Sequence, residues 1–278
     1  MEIKEVKIFA EEIRVSALEC IASLGFGHVG GSMSVIETLA CLYGEVMNID
    51  PKNPSKEDRD FMVMSKGHAG PAVYATLGLK GYFPLEEIKT LNKPHTNYPS
   101  HTDRLKTIGV DMTTGSLGQG VSSATGIAMG NKIKGLTNRT FVFVGDGELN
   151  EGQCWEAAQF AAHHGLDRLT VFVDHNKKQL DGTCDEICKS FDLAKKYEAF
   201  GFHVQTVNGH DIPAILAAIE NANKETEKPS CIVLDTIKAN GCTFAQDVVK
   251  NHSSTFTKEQ GEEAIAYAKE RLANAKMA

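Results

Sequence analysis

The chain has 278 residues, of which 42% are hydrophobic and 23% charged, and its formal net charge is −7. This is the composition of an ordinary globular protein, which excludes disordered, collagen-like and coiled-coil chains. An acidic chain also lacks the surplus of lysine and arginine that binds a phosphate backbone, so we expect no nucleic-acid partner.

The hydrophobic residues are not arranged to cross or enter a membrane. No stretch approaches eighteen uninterrupted apolar residues, and charges recur every few positions near the N-terminus, so we expect neither a membrane span nor a secretory signal. The seven cysteines include no CxxC pair, which argues against a zinc site or a disulfide framework. Cysteine usage therefore predicts a reducing, cytoplasmic compartment.

Short apolar runs alternate along the chain with longer segments of helical period. Strands are predicted at 61–65, 140–146, 170–174, 203–207 and 231–236, and helices at 118–133, 149–165, 190–201, 211–225 and 257–277. Each strand is a nearly continuous apolar run, as expected where both faces of a sheet are covered. The alternation predicts an α/β fold with a doubly wound, mostly parallel sheet flanked by helices, in one domain over residues 1–278.

Residues that commonly begin or end helices support this assignment. Ser34 and Glu37 have the spacing of a capping box, which predicts a helix beginning at Ser34. Gly165 and Gly201 stand where the second and third of the predicted helices should end.

Two consecutive strands end in residues suited to binding a metal. The strand at 140–146 runs into a Gly-Asp-Gly motif containing Asp146, and Asn176 follows the next strand 30 residues later. Ligands of such sheets bind beyond the carboxyl ends of the strands, so Asp146 and Asn176 are expected to be neighbours. Carboxylate and carboxamide oxygens suit Mg²⁺, and the glycines would let the backbone approach a diphosphate. Alone, each motif is also explained by a tight turn.

At this spacing the two motifs resemble the magnesium–diphosphate motif of thiamine-diphosphate enzymes. The segments GHVGGSMSVIETL, RDFMVMSKGHAGPAVYATLGLKGYF, PSHTDRLKTIGVDMTTGSLGQG and VNGHD resemble, in that order, landmarks of transketolases. The resemblance runs from about residue 14 to about residue 255, and covers the N-terminal, diphosphate-binding part of a full-length transketolase. It implies the thiamine-diphosphate-binding fold, with thiamine diphosphate and Mg²⁺ as cofactors.

The resemblance also implies roles for the residues that match the family motifs. Asp146 and Asn176 would ligate Mg²⁺ together with the backbone carbonyl of Lys178. His68, in SKGH, would hydrogen-bond the diphosphate, and Gly147 would pack beneath it. Two residues of TTGSLGQG would contact the thiamine, in a motif where the family usually has Pro in place of Ser116: Gly115 and Leu117.

Three histidines are implied to act on the substrate. His28, in GHVGGS, and His101, in PSHTD, would reach the hydroxyls of the sugar donor and assist proton transfer. His252 would lie near both diphosphate and substrate, although Ser253 follows it where the family usually has glycine. Two glutamates match residues that link paired cofactor sites in the family, or else are helix-start carboxylates favoured by the helix dipole: Glu151 and Glu156. Three other histidines are predicted to be structural: His175, His203 and His210.

Thiamine chemistry in transketolases also needs a glutamate that lies in the pyrimidine-binding domain, downstream of all the segments matched here. The resemblance therefore implies the N-terminal subunit of a split transketolase, which a C-terminal subunit would complete in an α₂β₂ assembly. It would transfer a two-carbon ketol unit from a ketose phosphate or related sugar to an aldose. The alternatives are the α subunit of a 2-oxoacid dehydrogenase, a deoxyxylulose-phosphate-synthase-like enzyme, and a cofactor-binding regulatory subunit without turnover. The identities of the two sugars stay open.

Overall fold

A central sheet of five parallel strands runs through the computed structural model, which describes residues 1–278. The strands lie side by side in the order β2 (Phe61–Met64), β3 (Thr140–Gly145), β4 (Leu169–His175), β6 (Ser230–Asp235) and β5 (His203–Asn208). Two short strands, β1 (Phe26–Gly27) and β7 (Ser254–Thr255), pair antiparallel outside this sheet. Every predicted strand is present, with its ends within one residue of the prediction.

Helices cover both faces of the sheet, so the predicted doubly wound architecture is confirmed. They are α1 (Ile3–Ala22), α2 (Val29–Met33), α3 (Ile36–Cys41), α4 (Gly70–Lys80), α5 (Gln119–Ile133), α6 (Gly152–His163), α7 (Cys184–Ile187), α8 (Leu193–Ala199), α9 (Ile212–Lys224) and α10 (Lys258–Met277). Phe141, Phe143 and Phe172 pack on one face with residues of α1, α3, α4 and α9. Val142 and Val171 pack on the other face with α5, α6 and α8.

The expectation that both faces of every strand are covered is wrong for β5. None of its six residues is buried, and Thr206 and Asn208 are exposed. The reason is its place at the edge of the sheet, beside β6 alone. The structure contains no helix that is both long and apolar enough to cross a membrane.

The predicted helix ends at Gly165 and Gly201 are confirmed, but the prediction of a capping box at Ser34 and Glu37 is wrong. Gly165 and Gly201 follow α6 and α8 with φ of +54° and +94°, a left-handed conformation that glycine adopts without strain. The helix α3 instead begins at Ile36 and has no side-chain cap. Ser34 donates a hydrogen bond to Asp174 and Glu37 pairs with Arg14, so contacts with distant elements take both side chains.

Candidate functional site

A cavity of about 190 Å³ opens at the carboxyl ends of the sheet strands. Seven residues singled out in the sequence line it: His68, Leu117, Asp146, Gly147, Asn176, Lys178 and His252. The order of the strands explains why the residues that follow β3 and the residues that follow β4 lie close together. β3 and β4 are neighbours with Gly145 opposite Asp174, so the loops that follow the two strands leave the sheet side by side.

Three groups with oxygen atoms come from the two adjacent loops: the Asp146 carboxylate, the Asn176 side-chain amide and the Lys178 backbone carbonyl. The Asp146 carboxylate is 2% exposed and accepts hydrogen bonds from the Gly147 amide at 2.8 Å and the Lys177 amide at 2.5 Å. The Asn176 side-chain oxygen accepts from the Lys178 amide at 3.2 Å. Burial, and then the charge of Asp174, raise the pKa of Asp146. A cation bound here would favour the ionised carboxylate.

These groups fit Mg²⁺ by their chemistry. A carboxylate, an amide oxygen and the backbone carbonyl of Lys178 are hard donors, and each oxygen can accept a second partner beyond its internal hydrogen bond. Mg²⁺ usually keeps water and phosphate oxygens as its other ligands. The chain has no cluster of three or more histidine, cysteine, aspartate or glutamate side chains placed to hold a metal.

Asp174, at the end of β4, is the central acceptor beneath the cavity. Its carboxylate accepts from Ser34 Oγ at 2.7 Å, from Thr236 Oγ1 at 2.5 Å and from Asn176 Nδ2 at 2.8 Å. The Lys66 ammonium forms a buried ion pair with the same carboxylate. Burial alone would raise the pKa of Asp174, but the Lys66 charge and these hydrogen bonds outweigh it and lower the pKa. Asp174 thereby fixes the orientation of Asn176.

A second buried lysine, Lys238, reaches the cavity from the loop after β6. Its ammonium donates to the carbonyl of Lys178 at 2.8 Å and to the carbonyl of Gln179 at 3.2 Å. Burial, and then the neighbouring charge of Lys66, lower the pKa of Lys238 to about 8. The Asp174 carboxylate pairs with Lys66, whereas the Lys238 ammonium contacts only backbone carbonyls and so adds positive charge that suits an anionic group such as a diphosphate.

Four histidines form a cluster beside the cavity, and two of them, His68 and His252, line it. The ring centroid of His28 lies 5.7 Å from that of His68, 5.2 Å from that of His101 and 5.3 Å from that of His252. Burial is the main cause that lowers all four pKa values, to about 4 for His28 and about 3 for His252. The four imidazoles are therefore neutral at neutral pH, and each can donate one hydrogen bond and accept another.

The buried carboxylate of Glu148 joins three loops that line the site. It accepts from the Gly118 amide at 2.8 Å, from the Gly145 amide at 3.1 Å and from the Ser65 hydroxyl. Ser65 directly follows β2, Gly145 is the last residue of β3, and Gly118 directly precedes α5. Burial raises the pKa of Glu148. Glu148 thus sets the spacing between the loop that carries His68 and the Gly-Asp-Gly loop.

Residues 6–276 match the family described as transketolase, thiamine diphosphate binding domain. The chain belongs to the transketolase family. It is 49% identical over 257 residues to the 6-deoxy-6-sulfo-D-fructose transketolase subunit SqwG of Clostridium sp. (strain MSTE9), covering 92% of this chain and 94% of that one. It is 32% identical to one subunit of the apulose-4-phosphate transketolase of Phocaeicola vulgatus, over 98% of this chain and 96% of that one.

The solved transketolase of Campylobacter jejuni has the same fold. It superposes with a TM-score of 0.90 at 31% identity, covering 98% of this chain and 43% of that one. The predictions of a transketolase N-terminal subunit, of its α/β fold and of thiamine diphosphate as cofactor are therefore confirmed. The chain spans less than half the length of this solved transketolase.

The remaining transketolase motif residues lie around the same cavity. Gly115 has a φ of +146°, a conformation that favours glycine, and a Cβ there would lie close to the His101 ring, at 3.2 Å. Leu117 lines the cavity, and its carbonyl accepts from Gln153 at 3.1 Å. Glu151 and Glu156 instead lie exposed at the start of α6 and do not line the cavity, so their role stays a prediction.

Sequence reasoning missed four buried residues of this transketolase site: Lys66, Glu148, Asp174 and Lys238. Local signals for three of them were present in the sequence. Lys66 belongs to the same SKGH motif as His68, Glu148 directly follows the Gly-Asp-Gly motif, and Asp174 ends a predicted strand. Lys238 follows β6, and only the sheet order shows that its loop reaches Lys178.

Proposed function

We propose that this chain is the cofactor-binding subunit of a split transketolase, formed by residues 1–278 as one domain. The supporting observation is a cavity lined both by the oxygen donors of Asp146, Asn176 and Lys178 and by His68 and His252, whose rings cluster with those of His28 and His101. The oxygen donors suit a metal ion, to which a diphosphate could bind in turn. The histidines suit proton transfer at sugar hydroxyls.

Asp146, Asn176 and the Lys178 carbonyl hold Mg²⁺ in this proposal, and His68 hydrogen-bonds the diphosphate. Lys238 lies close enough to the Lys178 carbonyl to add positive charge beside the same group. When bound, thiamine diphosphate supplies the electron sink that breaking a carbon–carbon bond of a sugar requires. Gly147 packs beneath the diphosphate.

In this proposal, histidines of the cluster accept and donate the hydroxyl protons of the donor sugar. His101 and His28 are neutral because burial lowers their pKa values, so either can accept a hydroxyl proton or donate one. His252 lies between the two sets, with its ring centroid 4.4 Å from that of His68. It is placed to contact both the diphosphate and the substrate.

A second polypeptide completes the site. The two relatives named as transketolase subunits align over nearly their whole length, whereas the Campylobacter enzyme is more than twice as long as the segment it shares with this chain. Leu180, on the wall of the cavity, is 58% exposed and suits a covering surface. We infer a C-terminal, pyrimidine-binding subunit that supplies the cofactor-activating glutamate, in an α₂β₂ assembly.

The donor is inferred to be a ketose with an anionic group at its far end. One relative is named for a sulfonated sugar and another for a phosphorylated one. Both sugars carry a ketol unit and, elsewhere on the carbon skeleton, a negatively charged group. The aldose acceptor would receive the two-carbon unit.

The test is reconstitution from two chains. Purified alone with thiamine diphosphate and Mg²⁺, this chain should transfer no ketol unit from a sulfonated or a phosphorylated ketose. Adding a C-terminal transketolase subunit from the same genome should give turnover, together with a heteromer visible by size-exclusion chromatography with light scattering. The control is the same mixture carrying Asp146→Ala. Robust transfer by the isolated, mass-verified chain would refute the split-subunit proposal, and a stable heteromer without turnover would favour a regulatory role.

A further inference from the structure

The segment from Thr236 to Asn240, which follows β6, carries Lys238 into the cofactor cavity. Backbone and side-chain contacts hold it on several sides. Thr236 donates to Asp174 at 2.5 Å, and the Ala239 amide donates to the Gly30 carbonyl at 3.0 Å. The position of the Lys238 ammonium against Lys178 depends on how firmly this segment is held.

His210 accepts one hydrogen bond from this segment, and it lies outside the cavity. It stands at the carboxyl end of β5, the strand next to β6, and its side chain is 16% exposed. The Ile237 amide, one residue before Lys238, donates to His210 Nε2 at 2.8 Å. Within the segment this is the one backbone amide that a side chain accepts.

The geometry fixes the tautomer of His210. A backbone amide can only donate, so Nε2 must be the accepting nitrogen and the ring hydrogen must be on Nδ1. Nδ1 lies 3.2 Å from Glu37 Oε2, which accepts that hydrogen. The Asn240 Nδ2 group lies 3.0 Å from Nδ1 but cannot donate to a nitrogen that carries hydrogen, and it donates to Glu37 Oε1 at 3.3 Å.

Glu37 is itself held in place by buried charge. Arg14, on α1, donates to its Oε1 at 2.5 Å and to the Asn240 carbonyl at 2.5 Å. Although burial opposes ionisation, Arg14 and the hydrogen bond from His210 lower the pKa of Glu37 to about 2. The carboxylate therefore stays ionised at neutral pH and accepts the Nδ1 hydrogen of His210.

We propose that His210 is a positioning residue for the cofactor site: by accepting the Ile237 amide, it holds the segment that places Lys238 against the Lys178 carbonyl. The inference rests on the proposed function for its catalytic meaning, but the contact itself can be tested without it. The same histidine belongs to the VNGHD motif, which the cofactor and substrate roles leave unexplained.

Two substitutions distinguish the role of Nδ1, which donates to Glu37, from the role of Nε2, which accepts the Ile237 amide. In His210→Asn the side-chain amide can replace Nδ1 and donate to Glu37, but nothing replaces Nε2. In His210→Gln the amide oxygen is the same number of bonds from the backbone as Nε2, so it can accept the Ile237 amide. His203→Asn is the matched control, since His203 lies at the opposite end of the same strand. Circular dichroism confirms that each variant folds.

Hydrogen–deuterium exchange of the full chain without cofactor gives the first measurement. In His210→Asn, peptides covering 236–241 should exchange faster by about 2- to 12-fold, which corresponds to losing one net hydrogen bond of about 0.5–1.5 kcal/mol. His210→Gln and His203→Asn should exchange there like the wild type. Equal exchange in His210→Asn and the wild type, or equal loosening in the Asn and Gln variants, would overturn the proposal.

Titration of the chain assembled with its C-terminal partner gives the second measurement. Thiamine diphosphate with Mg²⁺ should bind His210→Asn more weakly, by a factor of about 2 to 12, and His210→Gln nearly as the wild type. Faster exchange with unchanged cofactor affinity would overturn the positioning role. Failure of the wild-type assembly to bind thiamine diphosphate would refute the proposed function instead, while the exchange measurement still decides whether His210 holds the segment.

Discussion

Replacing Asp174 by asparagine tests whether the stability of the chain depends on the buried carboxylate beneath the cofactor cavity. Asp174 and Lys66 are 0% and 1% exposed, so solvent screens their ion pair little. Asparagine has nearly the same shape but leaves the Lys66 ammonium buried and unpaired. It also puts an NH₂ group where a carboxylate oxygen accepts, either from Thr236 or, in the flipped orientation, from Ser34 and Asn176.

The magnitude follows from the burial of the remaining charge. Removing one partner of a buried ion pair costs about 3–5 kcal/mol, because the other charge is left uncompensated. For a chain of this size each kcal/mol lowers Tm by about 2–4 °C, so Asp174→Asn should lower Tm by about 6–20 °C. The matched control is Asp235→Asn on the next strand, whose ion pair with Lys177 is 57% exposed on both sides. Such an exposed pair contributes about 0–1 kcal/mol.

Differential scanning calorimetry at neutral pH measures both variants. The double variant Lys66→Met with Asp174→Asn removes the unpaired ammonium and should recover part of the loss. A Tm for Asp174→Asn within about 3 °C of that for Asp235→Asn would refute the reasoning, since a buried and an exposed carboxylate would then be equivalent. A double variant less stable than Asp174→Asn alone would show that the unpaired charge is not the cause.

Three further substitutions address the site itself. Asp146→Ala should abolish Mg²⁺-dependent retention of thiamine diphosphate, because it removes the carboxylate of the proposed metal site; unchanged affinity in isothermal titration of the assembled complex would contradict this. His101→Ala should leave cofactor binding nearly intact and lower kcat/KM for ketol transfer by about 10²–10⁴-fold, and wild-type steady-state kinetics would remove His101 from the reaction. Lys238 is charged below its pKa of about 8 and neutral above it, so cofactor affinity should fall as pH rises through that value. In Lys238→Met this dependence should flatten, and an unchanged pH profile in that variant would exclude Lys238 as its source.

The strands of this fold could be predicted because their signal is local. Each is an apolar run bounded by polar residues, and β2, β3, β4, β5 and β6 begin and end within one residue of that pattern. The exception in burial, β5, follows from strand order, which no single segment encodes. The residues at the strand ends were equally predictable, because parallel strands bring their carboxyl ends to one edge wherever they lie in the sheet.

The supporting contacts beneath the cavity could not be predicted in the same way. Asp174 meets Ser34, Lys66 and Thr236 across 140, 108 and 62 positions of the chain. Such pairings depend on which strands become neighbours. The expected capping box at Ser34 fails for the same reason, since a local hydrogen bond gives way to a buried charge from another element. Sequence patterns identify groups that contact ligands more readily than the groups that hold those contacts in place.

The charges around the cavity explain why a cation should accompany the diphosphate. Three buried carboxylates, Asp146, Glu148 and Asp174, lie around the cavity with only two buried ammonium groups, Lys66 and Lys238, so with all five groups ionised the site carries one excess negative charge before any ligand binds. Lys66 is already paired with Asp174, and Lys238 donates to backbone carbonyls. A diphosphate entering this site would add negative charge that the lysines cannot offset, and burying unpaired charge is costly. A divalent cation held by the oxygens of Asp146, Asn176 and Lys178 would offset that charge, so metal and diphosphate should bind interdependently.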